Sequence, residues 1–241
     1  MTKKVLITGG NKGIGFEVAK QLGELGWTIL LGARNEERGL TAVHDLQRAG
    51  IHAEWIRIDL DNLDTVHAAA TDIADRHPDL SLLINNAGIA GNMSAEPTAV
   101  DVDELKETLD VNVLGTFEMI KSFTPIMARN RGRIANLTIP DNPNPFWHPF
   151  SYIISKAGLN RMIKMFGQSF HRQHIPIDIF GICPGGVSTD LNHHMSNPFM
   201  HTVPEGASVV VKAVTDRHRH QGRIITDYGV RTLVKRMVTK H

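Results

Sequence analysis

Tyr152 and Lys156 stand four residues apart, the spacing that places two side chains on one face of a helix. A phenol, with an ordinary pKa of about 10, is a poor acid–base group at neutral pH until a nearby positive charge favours phenolate. Lys156 offers that charge. A second group of residues points at phosphate. Thr8-Gly9-Gly10-Asn11-Lys12-Gly13-Ile14-Gly15 follows an aliphatic run and leads straight into a helical pattern. Glycines there let the backbone approach a pyrophosphate and aim free helix-N-terminal amides at it, which makes Gly9, Asn11, Lys12, Gly13, Ile14 and Gly15 candidates to hold one. The spacing is T-G-x-x-x-G-x-G, and the generic G-x-G-x-x-G is absent. The second aliphatic run leads to Gly32-Ala33-Arg34, the region that meets the adenosine ribose in dinucleotide folds. A carboxylate there would bind the 2′-hydroxyl of NAD, whereas Arg34 offers a guanidinium to a 2′-phosphate. Lys12 adds a second positive charge, so the residues favour NADP, with NADPH preferred over NADH.

These groups need an architecture that brings strand ends and helix starts together. Short β-branched or aliphatic runs at Lys4–Thr8, Thr28–Leu31, Ala53–Ile58, Leu80–Ile84, Gly132–Leu137, Ile177–Ile182 and Arg223–Thr226 are nearly continuously apolar, as strands buried on both faces are. Between them, Gly15–Gly26, Glu36–Ala49, Leu63–Arg76, Val102–Ala128, Ser151–His171 and Pro204–Val214 carry helical spacing. In the first helix Ile14, Val18, Leu22 and Leu25 follow one stripe. The alternation predicts an α/β fold, a doubly wound parallel sheet of about seven strands with helices on both faces. No repeat or linker divides the chain, so residues 1–241 read as a single domain. The irregular stretches Ile89–Thr98, Ile139–Phe150 and Ser188–Val203 follow strand ends, where open α/β sheets bind ligands.

Composition removes other classes. Of 241 residues, 26 are Lys or Arg and 25 Asp or Glu, a net charge of +1, so no global field favours nucleic acid or an anionic membrane. The single cysteine, Cys183, forbids an internal disulfide or a multi-thiolate metal site and suits a reducing compartment. The N-terminal apolar run is too short for a signal peptide and no stretch is long enough for a transmembrane helix; the expected location is cytoplasmic, with no metal site. His171 and His174 supply only two ligands. Arg217-His218-Arg219-His220 reads as a solvated turn.

The Thr8–Gly15 turn, Asn85-Asn86-Ala87-Gly88, Tyr152-x-x-x-Lys156 and Pro184-Gly185-x-Val187-x-Thr189 together resemble the short-chain dehydrogenase/reductase family, over nearly the whole chain from Lys4 to about Tyr228. Thr8–Phe16 with Gly32-Ala33-Arg34 is similar to its carbonyl-reductase branch. The resemblance implies an oxidoreductase in which Tyr152 passes a proton to a carbonyl oxygen as hydride moves to the carbonyl carbon. It implies that Lys156 also binds the nicotinamide ribose and that Asn112 holds a proton-relay water. Asp59 and Leu60 would meet the adenine; Asn86, Ala87 and Gly88 would line the cofactor; Pro184, Gly185, Val187 and Thr189 would meet its nicotinamide end. The implied partners are a small-molecule carbonyl or alcohol and further copies of the chain, as a homodimer or homotetramer.

One position departs from that pattern. The family's serine, thirteen residues before the tyrosine, is Ile139 here, in Gly132-Arg133-Ile134-Ala135-Asn136-Leu137-Thr138-Ile139. Losing one donor to a developing oxyanion costs about 10²–10³ in turnover. Thr138 is the adjacent candidate for the catalytic hydroxyl, although neighbours on an ideal strand face opposite sides. Asn142, Asn144 and His148 are further possible donors. Phe146, Trp147 and Phe150 could wall an apolar pocket, as could Met195, Phe199 and Met200 beside His193 and His194. Substrate choice is expected in loops 139–150 and 188–203, favouring a small or medium apolar carbonyl compound. Ile139 also motivates a rival expectation, an NADP-binding sensor or scaffold with weakened or lost catalysis.

Overall fold

The computed structural model describes residues 3–141, 149–192 and 200–226. Seven apolar runs form β1 (Lys4–Thr8), β2 (Thr28–Ala33), β3 (Ala53–Arg57), β4 (Leu82–Asn85), β5 (Arg133–Leu137), β6 (Asp178–Cys183) and β7 (Ile224–Thr226). They make one sheet in the order β3-β2-β1-β4-β5-β6-β7, every pairing parallel. The chain leaves β1 in one direction to β2 and β3 and in the other to β4. The crevice between β1 and β4 is therefore the switch point where such sheets take ligands.

Alternate strand residues feed two cores. Val5, Ile7, Leu31 and Ile84 meet α1 (Gly13–Glu24), α2 (Glu36–Arg48) and, further along the sheet, α7 (Val203–Thr215) on one face. Leu6, Leu30, Leu83 and Ile134 meet α3 (Leu63–Arg76), α5 (Thr116–Arg129) and α6 (Phe150–Arg172) on the other. Burial on both sides is why the strands read as unbroken apolar runs.

Two departures from the sequence expectation shape the site. The first helix begins at Gly13 and stops at Glu24, with Leu25 as its C-cap, and Leu25 is 61% exposed and off its stripe. The expected helix Val102–Ala128 is interrupted. α4 (Val102–Leu109) passes through a π turn at Asp110–Gly115 before α5 begins. A π turn inserts an extra residue and redirects side chains, a device common at functional sites; here it sends Asn112 into the interior, fully buried.

Arg133 locks the opposite, N-terminal edge of the sheet. Its guanidinium lies 3.0 Å from Asp178 of β6 and donates to the carbonyls of Ala213, Val214 and Asp216 at the end of α7 and of His218 beyond it. His220 pairs with Asp216 at 2.9 Å and Arg219 donates to the Ile177 carbonyl. The basic cluster expected to be a solvated turn is thus partly tied into β6 and α7, with Arg217 and His218 left on its exposed side. Replacing Arg133 by alanine strands the Asp178 carboxylate, which is 6% exposed, and loses about 3 kcal/mol of stability. Urea unfolding reads this as a lowered midpoint; a loss under about 1 kcal/mol would show the network to be ornamental. Among the described residues no helix is long and apolar enough to cross a membrane.

Candidate active site

The glycine turn at the end of β1 is shaped by contact with the end of β4. Thr8 is fully buried and its hydroxyl accepts the N–H groups of Asn86 and Ala87. The Asn86 side-chain amide donates to the Thr8 and Gly9 carbonyls at 2.9 and 3.1 Å. That approach leaves no room for side chains on the turn. A Cβ on Gly9, which has φ +63°, would lie 2.9 Å from the Ala87 Cα, and one on Gly15 would lie 2.4 Å from the Asn86 amide nitrogen. Lys12 precedes α1 with no side-chain cap, so the first amides of the helix are open to an anion. Asn11, Gly13 and Ile14 are part-exposed on the same turn. The cradle and the uncapped helix fit a diphosphate.

On the far side of the crevice α6 carries Tyr152 and Lys156, both buried. Lys156 Nζ lies 5.6 Å from the centre of the Tyr152 ring and donates to the Leu137 carbonyl at 2.8 Å. Burial pushes the Lys156 ammonium down to about 8. It pushes the Tyr152 phenol above its ordinary range, with the Cys183 thiol adding to the shift. Tyr152 therefore keeps its proton here, and only added positive charge beside it would ease that proton's release. Asn112 faces the same interior. It exchanges two bonds of 2.8 Å with the Ile89 backbone and donates to the Ser155 hydroxyl at 3.0 Å, which itself donates to the Tyr152 carbonyl. A Cβ on Gly88 would come within 2.9 Å of the Asn112 Oδ1 and 3.7 Å of Lys156 Nζ, so Gly88, Asn112 and Lys156 close one corner.

The segment after β5 is pinned from α6. Asn160 accepts the Thr138 hydroxyl at 2.6 Å and donates to the Ile139 carbonyl at 3.0 Å and the Asp141 carboxylate at 3.2 Å. Thr138 is 3% exposed, and its N–H continues the ladder to Ile182, so no bulge turns it. Its proton goes to Asn160, which counts against Thr138 as a donor to a substrate oxygen. Ile139 lies with Ile153, Ala157 and Asn160 along a cavity of about 230 Å³.

A sequence model of the short chain dehydrogenase family matches residues 3–198. The chain belongs to that family. It is 29% identical over 194 residues to the 3beta-hydroxysteroid dehydrogenase of Mediterraneibacter gnavus, covering 80% of this chain and 69% of that one. It is 27% identical over 278 aligned positions to carbonyl reductase (NADPH) 3 of Rattus norvegicus, covering 96% and 98%. Among solved structures, a metagenomic short-chain oxidoreductase in complex with NADP aligns at a TM-score of 0.77 and 26% identity, covering 92% and 96% of the two chains.

The remaining expected positions of this dehydrogenase occupy the same edge of the sheet, with differing freedom. Arg34 is exposed at the end of β2. Asp59 follows β3 and accepts the Asp61 N–H, whereas the Leu60 side chain is buried in the core, close beneath Gly115. Pro184 is buried, Gly185 has φ +82° and Thr189 is part-exposed. Val187 packs on Gly206 of α7 and so anchors this loop. Lys12 is not an open charge: it pairs with Asp190 at 2.6 Å. Asn142, Asn144, Phe146, Trp147, His148, His193, His194, Met195 and Phe199 lie outside the described residues; Phe150 opens α6 and Met200 lies against Gly186.

Three residues carry positions that the motifs did not flag. Asn160 continues the Tyr152, Lys156 stripe by one more helical step, a signal present in the spacing. Glu104 on α4 accepts the Asn92 N–H and the Ser151 hydroxyl, fixing the residue before Tyr152. Arg57 ends β3 as the register partner of Ala33, so a second exposed arginine stands beside Arg34. Only the strand pairing could reveal it.

Proposed function

We propose that this short chain dehydrogenase is an NADP(H)-dependent reductase of small or medium apolar carbonyl compounds, or the corresponding alcohol dehydrogenase in reverse. The observation that carries the reading is the buried pair of Tyr152 and Lys156, with Lys156 Nζ beside Gly88 at the same strand edge as the uncapped glycine turn. The turn residues Gly9, Asn11, Gly13, Ile14 and Gly15 hold the diphosphate through backbone amides. Arg34 takes the 2′-phosphate, Asp59 and the Leu60 backbone the adenine end, and Asn86, Ala87 and Gly88 the middle. Pro184, Gly185, Val187 and Thr189 border the nicotinamide end, and Lys156 holds its ribose. The bound cofactor supplies or accepts a hydride. Tyr152 donates its proton to the substrate oxygen in reduction and takes one back in oxidation. Lys156 favours the phenolate left behind, and Asn112 in its π turn orders the proton path beside it. The exposed Leu114 and Phe117 around α5 and Ile154 and Met165 on α6 suit a second copy of the chain, as a homodimer or homotetramer.

The test is consumption of NADPH and of NADH across a panel of apolar ketones, aldehydes and enones. At least one carbonyl consumes NADPH about tenfold or more faster than NADH, the scale of one charge-assisted contact. Reduction falls as pH rises above about 8, where Lys156 loses its proton and the phenolate its counter-charge. No turnover across the panel, or equal use of the two cofactors, refutes the reading.

A further inference from the structure

Lys12 and Asp190 are 178 residues apart and come from opposite sides of the crevice. Lys12 ends the glycine turn after β1, and Asp190 opens the short turn Asp190–Asn192 after β6. Two strands, β4 and β5, separate β1 from β6, yet Lys12 Nζ lies 2.6 Å from the Asp190 carboxylate. A Cβ on Gly13 would lie 3.9 Å from the Thr189 methyl. The two loops therefore meet across the strand ends that carry Asn86, Ala87 and Gly88.

Both side chains are more than half exposed, 59% and 55%. An exposed ion pair is screened and weak, so either partner exchanges readily for a better one. A phosphate monoester is that better partner for an ammonium, with charge near −2 and three strong acceptor oxygens against one carboxylate. The cations Arg34 and Arg57, at the ends of β2 and β3, are exposed, and their side chains pair with no acid among the described residues. Phosphate held beside them would draw Lys12 away from Asp190. The diphosphate is common to both cofactors, so the 2′-phosphate alone makes this exchange differ between them.

We propose that Asp190 is a specificity-determining residue that competes with the cofactor's 2′-phosphate for Lys12, and so sets the margin by which NADPH is preferred over NADH. The inference rests on the NADP reading above. It makes Asp190 a restraint: the wild-type preference is smaller than Lys12 and the arginines alone would give.

Calorimetric titration of wild type, Asp190→Asn, Lys12→Gln and the double variant with NADPH, NADH, adenosine 2′,5′-bisphosphate and 5′-AMP tests this without turnover. Asp190→Asn tightens NADPH and the bisphosphate by about two- to fivefold, the range of one exposed ion pair. It leaves NADH and 5′-AMP unchanged, and the gain disappears in the Lys12→Gln background. An unchanged NADPH affinity, an equal shift for all four ligands, or a gain that persists without Lys12 overturns the proposal while leaving the cofactor reading intact. A wild-type chain that binds neither NADPH nor NADH overturns both. Matching thermal midpoints of the four proteins separate these outcomes from misfolding.

Discussion

Tyr152→Phe reduces carbonyl reduction by about 10²–10⁴-fold, the contribution of a positioned general acid, and leaves NADPH affinity within twofold. The variant keeps the ring, so the packing of α6 against the sheet is preserved. Only the hydroxyl is lost, and with it the proton for the substrate oxygen. Four polar side chains on the elements around it are already engaged: Thr138 donates to Asn160, Ser151 to Glu104, Ser155 to the Tyr152 carbonyl, and Asn112 to Ile89 and Ser155. None can take over without breaking a buried bond. Burial keeps the phenol above its ordinary pKa, so wild-type Tyr152 carries its proton throughout the neutral range. The measurement is single-turnover oxidation of bound NADPH beside an equilibrium titration of the same protein. Turnover equal to wild type would remove Tyr152 from the reaction; a parallel loss of NADPH binding would show a cofactor role.

The strands were readable because each is buried on both faces, which erases alternation and leaves a plain apolar run bounded by turn residues. The crevice was readable for the same reason, since Gly9, Gly15 and Gly88 are glycines where backbone or amide groups pass too close for a Cβ. The π turn was not readable. One extra residue at Asp110–Gly115 barely disturbs the apolar spacing of a helix that continues on both sides, although it decides that Asn112 points inward. The alternation of an isolated strand hides the partner of Thr138 on α6; Asn160 takes its proton through a contact 22 residues away. Lys12 looked like an open charge because its acid comes from the other end of the chain. Local chemistry is legible in sequence, then, while the question of which polar group is already engaged is settled by tertiary contacts.

Ile139→Ser raises the rate of carbonyl reduction by about 10²-fold, the lower end of what one oxyanion donor contributes. The argument turns on the backbone. Asn160 holds the Thr138 hydroxyl, the Ile139 carbonyl and the Asp141 carboxylate together, and none of these bonds uses the Ile139 side chain. A serine at 139 is therefore delivered at the end of β5 by a clamp that is already in place. Isoleucine supplies no donor there, and Ile139 lines a cavity together with Ile153 and Ala157. The developing charge on a substrate oxygen then rests on Tyr152 alone among the side chains described. Its removal from a half-buried site costs about 1–2 kcal/mol of stability, which a thermal midpoint records separately from rate. Ile139→Ala is the matched control, since it opens the same space without adding a donor. A rise in kcat for serine and not for alanine, at equal NADPH affinity, assigns the gain to the hydroxyl. Equal rates for the two variants would mean that position 139 does not face the reacting oxygen and that this dehydrogenase has placed its second donor elsewhere. The same gain should require Asn160: in an Asn160→Ala background the strand end is released, and the serine loses most of its advantage.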